Sequence, residues 1–194
     1  MTNAGSFPAA EFDHDVLLDL LQSFDEKLGQ EGFHGSIFIV GGAAMALEYS
    51  ALRVTTDIDA IFNPRSDIEG IAASFAEERG LPKDWLNTHV SGMLGYFKTD
   101  EQARTVFSGE NLTVSVASPE YLFASKVIAG RDKDRDDAAI LAKKLGVSTV
   151  SGMQVIVERY YRGEITPGEY RGDVILSMLQ DIEDMIADPA KDHD

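Results

Sequence analysis

Asp57-Ile58-Asp59 places two carboxylates two residues apart within a run of strand-forming composition, TTDIDAIF at 55–62. On a strand, residues i and i+2 point to the same face, so both acids project together while Ile58 turns the other way into a core. Close carboxylates repel unless a cation lies between them, and an oxygen-only pair suits Mg²⁺, which takes one or two carboxylates and shares its remaining positions with phosphates or water. The same spacing also fits an exposed strand edge with solvated acids. Gly41-Gly42 is the second feature, set between the apolar run 36–40 (SIFIV) and helix formers at 43–49. Glycines there either let backbone amides approach an anion such as a triphosphate or simply serve a strand-to-helix turn. VGGAAMA is neither a dinucleotide fingerprint nor a P-loop. Arg53 offers either a phosphate contact or a surface charge.

Lys126 is the third feature, the one cation in the stretch 120–130 (EYLFASKVIAG). A helix apolar around most of its circumference is buried, so this ammonium must snorkel to water or pair with an anion, a phosphate among them. Arg131-Asp132-Lys133-Asp134-Arg135-Asp136-Asp137 follows directly. Its Asp-x-Asp-x-Asp pattern starts like a calcium loop but has Asp137 where that loop needs Gly and Lys143 where it needs Glu. These acids read instead as a helix N-terminus, with a capping Asp and others favoured by the helix dipole.

The elements that must position these groups can be read from periodicity. Residues 1–12 read as a flexible tail, followed by Val16, Leu17, Leu20, Leu21, Phe24 and Leu28 at helical spacing behind a cap at Asp13 or Asp15. Then come a strand at 36–40, a helix at 43–49 and a strand at 55–62 closed by Asn63-Pro64. Ser66-Asp67 caps a helix running to Arg79, with Ile68, Ile71, Phe75 and Ala76 on one face. No clear period emerges over 81–107, which holds the single Trp, Trp85. Leu112, Val114 and Val116 alternate with Thr113, Ser115 and Ala117 as a strand, and Ser118-Pro119 opens a helix to about Gly130. Further helices are expected at 134–145, 149–162 and 167–186, the last behind a capping box at Thr166-Pro167-Gly168-Glu169. The expected fold class is α+β: a mixed sheet with flanking helices over 13–117, then an all-helical region over 118–194.

Composition narrows the function classes. The 194 residues carry 17 Lys+Arg against 33 Asp+Glu, a net charge of −16, which argues against general DNA binding because affinity for a phosphate backbone comes from cationic side chains. The absence of Cys excludes disulfides, thiol nucleophiles and thiolate metal sites. The histidines, at 14, 34, 89 and 193, lack the spacing of a zinc site. The N-terminal MTNAGSFPAAEFDHD has no basic or apolar signal region, and the longest apolar stretch, 37–47, falls short of the ~20 residues that span a bilayer. The expectation is a cytoplasmic protein with no membrane partner.

Taken together, these pieces resemble the nucleotidyltransferase superfamily typified by DNA polymerase β, in its minimal bacterial form. The resemblance is carried by IVGGAAMALEYSALRVTTDID at 39–59, where a Gly-Gly turn and helix precede Arg-x-Thr and an Asp-x-Asp strand. It continues in ASPEYLFASKVIAGRDKDRDDAAIL at 117–141, similar to the Lys-helix and Arg-x-x-Asp-x-x-Asp segment of bacterial nucleotidyltransferases related to abortive-infection AbiEii-type toxins. Trp85-Leu86-Asn87 also fits that group.

The resemblance implies that Gly41 and Gly42 hold a triphosphate, that Asp57 and Asp59 bind Mg²⁺, and that Lys126 and Asp137 act with them in catalysis. It further implies phosphate contacts from Arg53, Lys126 and Arg131, and support from Thr56 and Asp134. The helices of 118–194 would complete the cleft, with Lys126 opposite the acids. An NTP substrate, an RNA or protein acceptor and an antitoxin-like partner follow from the same resemblance. One feature departs from it: the superfamily's third carboxylate sits on a later strand, where 112–117 offers Thr113, Ser115 and Ala117. The expected activity is Mg²⁺-dependent nucleotidyl transfer. The alternative is a catalytically silent module of the same fold that binds a nucleotide or a protein partner.

Overall fold

The computed structural model describes residues 11–50 and 52–188. The first helix, α1 (His14–Glu31), starts where Asp13 accepts a hydrogen bond from the Val16 amide at 2.9 Å, and it buries Leu17, Leu20, Leu21, Phe24 and Leu28. Most of the expected tail, residues 1–10, lies outside the described residues. Phe12 does not fit a tail: it is buried and exchanges backbone hydrogen bonds with Thr55 at 2.6 and 3.0 Å.

Strand β1 (Gly35–Ile39) leads into α2 (Gly41–Ala44), which continues as one wider turn of π-helix at Met45–Tyr49. After β2 (Ile58–Asn63), helix α3 (Arg65–Arg79) buries Ile68, Ile71, Ala72, Phe75 and Ala76. The cap expected at Ser66 is not used, because the Pro64 carbonyl already accepts from the Ile68 amide at 3.4 Å and the helix is under way at Arg65. The stretch without a clear period yields β3 (Leu86–Asn87), the single turn α4 (Ser91–Leu94) and β4 (Arg104–Ser108), after which β5 (Leu112–Val116) follows as expected.

The strands form one mixed sheet in the order β3-β2-β1-β5-β4. β1 pairs antiparallel with β2 and parallel with β5. Pairing Ile37 with Phe62 and Val114, and Ile39 with Ala60 and Val116, puts all of these on one buried face. Helices α1 and α3 cover that face. Phe24, Phe75 and Trp85 meet there with ring centroids 5.3–5.5 Å apart, and the Trp85 indole donates to the Ala72 carbonyl at 3.1 Å. Asp25, on α1, is a buried exception. Its Oδ1 accepts from the amides of Asn111 (2.8 Å) and Leu112 (2.7 Å) at the β4–β5 turn, while Asn111 Nδ2 donates back to the Asp25 carbonyl at 3.2 Å.

The chain divides into two compact units, one taking the residues up to Gly92 together with 103–117, the other 93–102 and the residues from Ser118 onward. The second unit is helical: α5 (Pro119–Ala129), α6 (Arg135–Leu145), α7 (Val150–Tyr160) and α8 (Tyr170–Ala187). Ser118 caps α5 as expected, accepting from the Tyr121 amide at 3.3 Å. Its own amide and hydroxyl donate to Asp100 at 2.7 and 2.9 Å, and the Tyr121 ring meets Phe97 at a tilt and Tyr160 edge-on, each with centroids 5.4 Å apart. Burial, reinforced by the charge of Asp100, pushes the Tyr121 hydroxyl up to about 12. The expected capping box at 166–169 is instead a tight turn, with the Glu169 amide bonded to the Thr166 carbonyl at 3.2 Å and Gly168 at φ 86. Pro followed by a Gly of positive φ is the signature of a type II turn, so α8 starts later, at Tyr170. The mixed sheet with flanking helices and the C-terminal helical region are thus both present. Among the described residues no single helix is long and apolar enough to cross a membrane.

Phe75 fills the aromatic cluster beside the single Trp, which is fully buried. Phe75→Ala should therefore cost about 3–5 kcal/mol in urea unfolding followed by Trp85 fluorescence. A loss under about 1 kcal/mol would show that the cluster does not carry the core.

Candidate active site

Asp59 lies in β2, and Asp57 precedes the strand by one residue, so the strand is shorter at its start than its composition suggested. Ile58 between them is completely buried, while both acids are half-buried. Asp57 is held from two sides, as its Oδ2 accepts from Asn87 Nδ2 at 3.2 Å and its carbonyl accepts from Thr55 Oγ1 at 3.0 Å. Asp59 is held through its backbone, where its carbonyl accepts the Val40 amide at 2.9 Å.

That last bond brings the Gly-Gly turn onto the acid. A Cβ on Gly41 would lie 2.9 Å from Asp59 Oδ2, and one on Gly42 would lie 2.8 Å from Thr55 Oγ1. Gly41 also has φ 67, which other residues rarely adopt. Gly41 is thus packed on the acid itself and Gly42 on the threonine that holds Asp57, so the turn and the carboxylates form one constellation. Arg53 is half-buried and Thr56 exposed in the link that leads from the turn to the acids.

β2, β1 and β5 share a second, more open face. Asp59 and Ile61 lie on it by strand parity, Phe38 pairs with Ile61, and Ser115 pairs with Phe38. Thr113 follows on the same side, so β5 brings hydroxyls to the face of Asp59 and no acid. A third side chain able to ligate a cation comes from elsewhere. Asp57, Asp59 and His89 each offer one ligand atom, and these atoms all lie within 4.8 Å of one another. β3 pairs Asn87 with Asp59, and the Asn87 side chain accepts the His89 amide at 2.9 Å while donating to Asp57. His89 was not legible in the sequence, since its proximity to the acids arises from strand pairing and not from any spacing of histidines.

Lys126, Arg131, Asp134 and Asp137 belong to the helical unit. Lys126 is only 3% exposed and does not snorkel. Its Nζ lies 3.1 Å from Asp134 Oδ1 and 2.7 Å from Asp137 Oδ2, and Arg131 Nε lies 2.5 Å from Asp134 Oδ2. Asp134 stands at the cap position of α6 but makes no side-chain capping bond, because its carboxylate is turned to these two cations. Burial pushes the Asp134 carboxyl up, yet the Arg131 hydrogen bond and the Lys126 charge outweigh it and hold the group below the ordinary aspartate range. Of the remaining acids in the run, Asp132 pairs with Arg135 at 2.6 Å and Asp136 is exposed.

β2 carries Asp59, with Asp57 one residue ahead of it, and the Gly-Gly turn packs against this pair. The chain belongs to the family described as nucleotidyltransferase of unknown function (DUF6036), which it matches over residues 15–163. No curated protein and no solved structure matches the chain.

Replacing Lys126 by Met would leave Asp134 and Asp137 buried beside an apolar tip. A loss of about 3–5 kcal/mol is expected in denaturant unfolding, as for other buried pairs that lose one partner. Acidification tests the same network. Because the folded-state pKa of Asp134 is depressed, its contribution to stability is present in full above the unfolded value of about 3.9 and is lost as pH falls through the lower folded value. Stability measured from about pH 5 down to pH 2 should therefore fall less steeply in Asp134→Asn than in the wild type. Equal slopes would show that Asp134 does not carry this dependence.

Proposed function

We propose that the protein is a divalent-metal-dependent nucleotidyltransferase, with Mg²⁺ the ion to which a carboxylate pair is suited, that moves a nucleotidyl group from an NTP to an acceptor. The observation that supports it most directly is the packing of Gly41 and Gly42 on Asp59 and Thr55 in a chain of nucleotidyltransferase family. The donor set fits such an ion, and a side chain at Gly41 would fill the space against Asp59. When bound, the ion supplies Lewis-acid charge to the phosphates. Asp57 and Asp59 would hold it, Asn87 and Thr55 keep Asp57 oriented, and Gly41 and Gly42 leave room for the triphosphate beside Asp59. Arg53 and Thr56 lie on the link between turn and acids and are assigned to phosphate contact and support. The roles at the nucleotide assigned to Lys126, Arg131, Asp134 and Asp137 rest on the family resemblance alone.

The likeness to AbiEii-type toxins supports a toxin with an RNA or protein acceptor and an antitoxin-like partner. A net charge of −16 favours an acceptor recognised through local contacts over one bound by general attraction to a polyanion. A second reading, a silent module that binds nucleotide without transfer, is favoured by one observation: β5 brings Thr113 and Ser115, and no carboxylate, to the face of Asp59.

Incubation with each α-labelled NTP, Mg²⁺ and cellular RNA or protein separates the two readings. The enzyme reading expects label on one acceptor class and a loss of at least about a hundredfold in both Asp57→Asn and Asp59→Asn, since even groups that only orient metal ligands carry 10–100-fold effects. Nucleotide binding without label transfer would establish the silent module instead.

A further inference from the structure

We propose that His89 is a third protein ligand of the ion held by Asp57 and Asp59, which makes the centre a mixed oxygen and nitrogen site that prefers a first-row transition cation such as Mn²⁺ to Mg²⁺. This rests on the metal-dependent reading above and deepens it. Three observations lead to it. The ligand atoms of Asp57, Asp59 and His89 lie within 4.8 Å of one another, close enough for one cation to touch all three. They come from two separate stretches of chain, joined where β3 pairs with β2 at Asn87 and Asp59. A single side chain, Asn87, ties them: its Nδ2 donates to Asp57 Oδ2 at 3.2 Å, its Oδ1 accepts the His89 amide at 2.9 Å, and it is itself buried.

The donor set then decides the ion. Mg²⁺ strongly prefers oxygen and gives up water reluctantly, whereas the first-row transition cations bind imidazole nitrogen as well as oxygen, Mn²⁺ the most weakly of them. β5 brings no acid to the face of Asp59, so the sheet adds no third carboxylate to the pair at 57 and 59. His89 supplies the group that the sheet lacks. Its exposure also leaves the outer side of the centre open for phosphate oxygens, as a catalytic site requires.

Full-length protein loaded with Mn²⁺ provides the test, read by pulsed electron paramagnetic resonance and by calorimetric titration with Mn²⁺ and, separately, with Mg²⁺. The expected wild-type spectrum shows ¹⁴N coupling from a directly bound imidazole, which disappears in His89→Ala. That variant should weaken Mn²⁺ binding about tenfold or more while changing Mg²⁺ binding less than about twofold. Because the His89 side chain is exposed, the variant is expected to fold, and unchanged thermal unfolding checks this. Mn²⁺ bound without nitrogen coupling, or equal effects of His89→Ala on both ions, overturns the proposal and leaves the carboxylate site and the proposed function standing. Failure of the wild type to bind either ion, with or without NTP, overturns both.

Discussion

The candidate site depends on which way Ile58 points. Its side chain is fully buried, its amide donates to the Trp85 carbonyl at 2.7 Å, and the parity of an extended chain then sends Asp57 and Asp59 to the opposite side. A slip of one residue would expose Ile58 and drive carboxylates toward the apolar face, where an unpaired charge costs several kcal/mol. Trp85 is thus both a core residue and a determinant of the site. Its ring packs on Phe24 and Phe75, its carbonyl fixes Ile58, and two residues later Asn87 holds Asp57. Packing and chemistry are joined in that short stretch.

In the helical unit the same cost of burying charge is met in a different way. Lys126 cannot reach water from an apolar helix, so the acids that follow it in sequence are folded back as counter-charges. Asp134 serves both Lys126 and Arg131, which leaves it unable to cap α6. Two acids of a run that reads as a helix start are thereby used to neutralise one ammonium. Calcium binding is not needed to explain it.

Local signals made much of this fold legible. The glycine turn, the Ile58 parity, the alternation at Leu112–Val116 and the Ser118-Pro119 helix start each depend on residues close in sequence. The features that were not legible have identifiable causes. β3 is two residues long, and β4 carries an irregularity between Thr105 and Phe107 that breaks the period of two. Residues 93–102 join the helical unit through Phe97 and Asp100, contacts with partners at Tyr121 and Ser118 that no local pattern announces. The apparent capping box failed because Pro167-Gly168 satisfies a turn equally well. His89 meets the acids through strand pairing alone.

Asp25 couples parts of the chain that are far apart in time as well as in sequence. Its carboxylate takes up two amides of a turn 86–87 residues further on, and Gly109 of that turn has no room for a Cβ, which would sit 2.2 Å from Asp25 Oδ1. Helix α1 is made before β4 and β5, yet its buried carboxylate has no backbone partner of this kind until those strands exist. That carboxylate is therefore satisfied only by contacts of high sequence separation, whose loop-closure cost comes before the bonds that repay it.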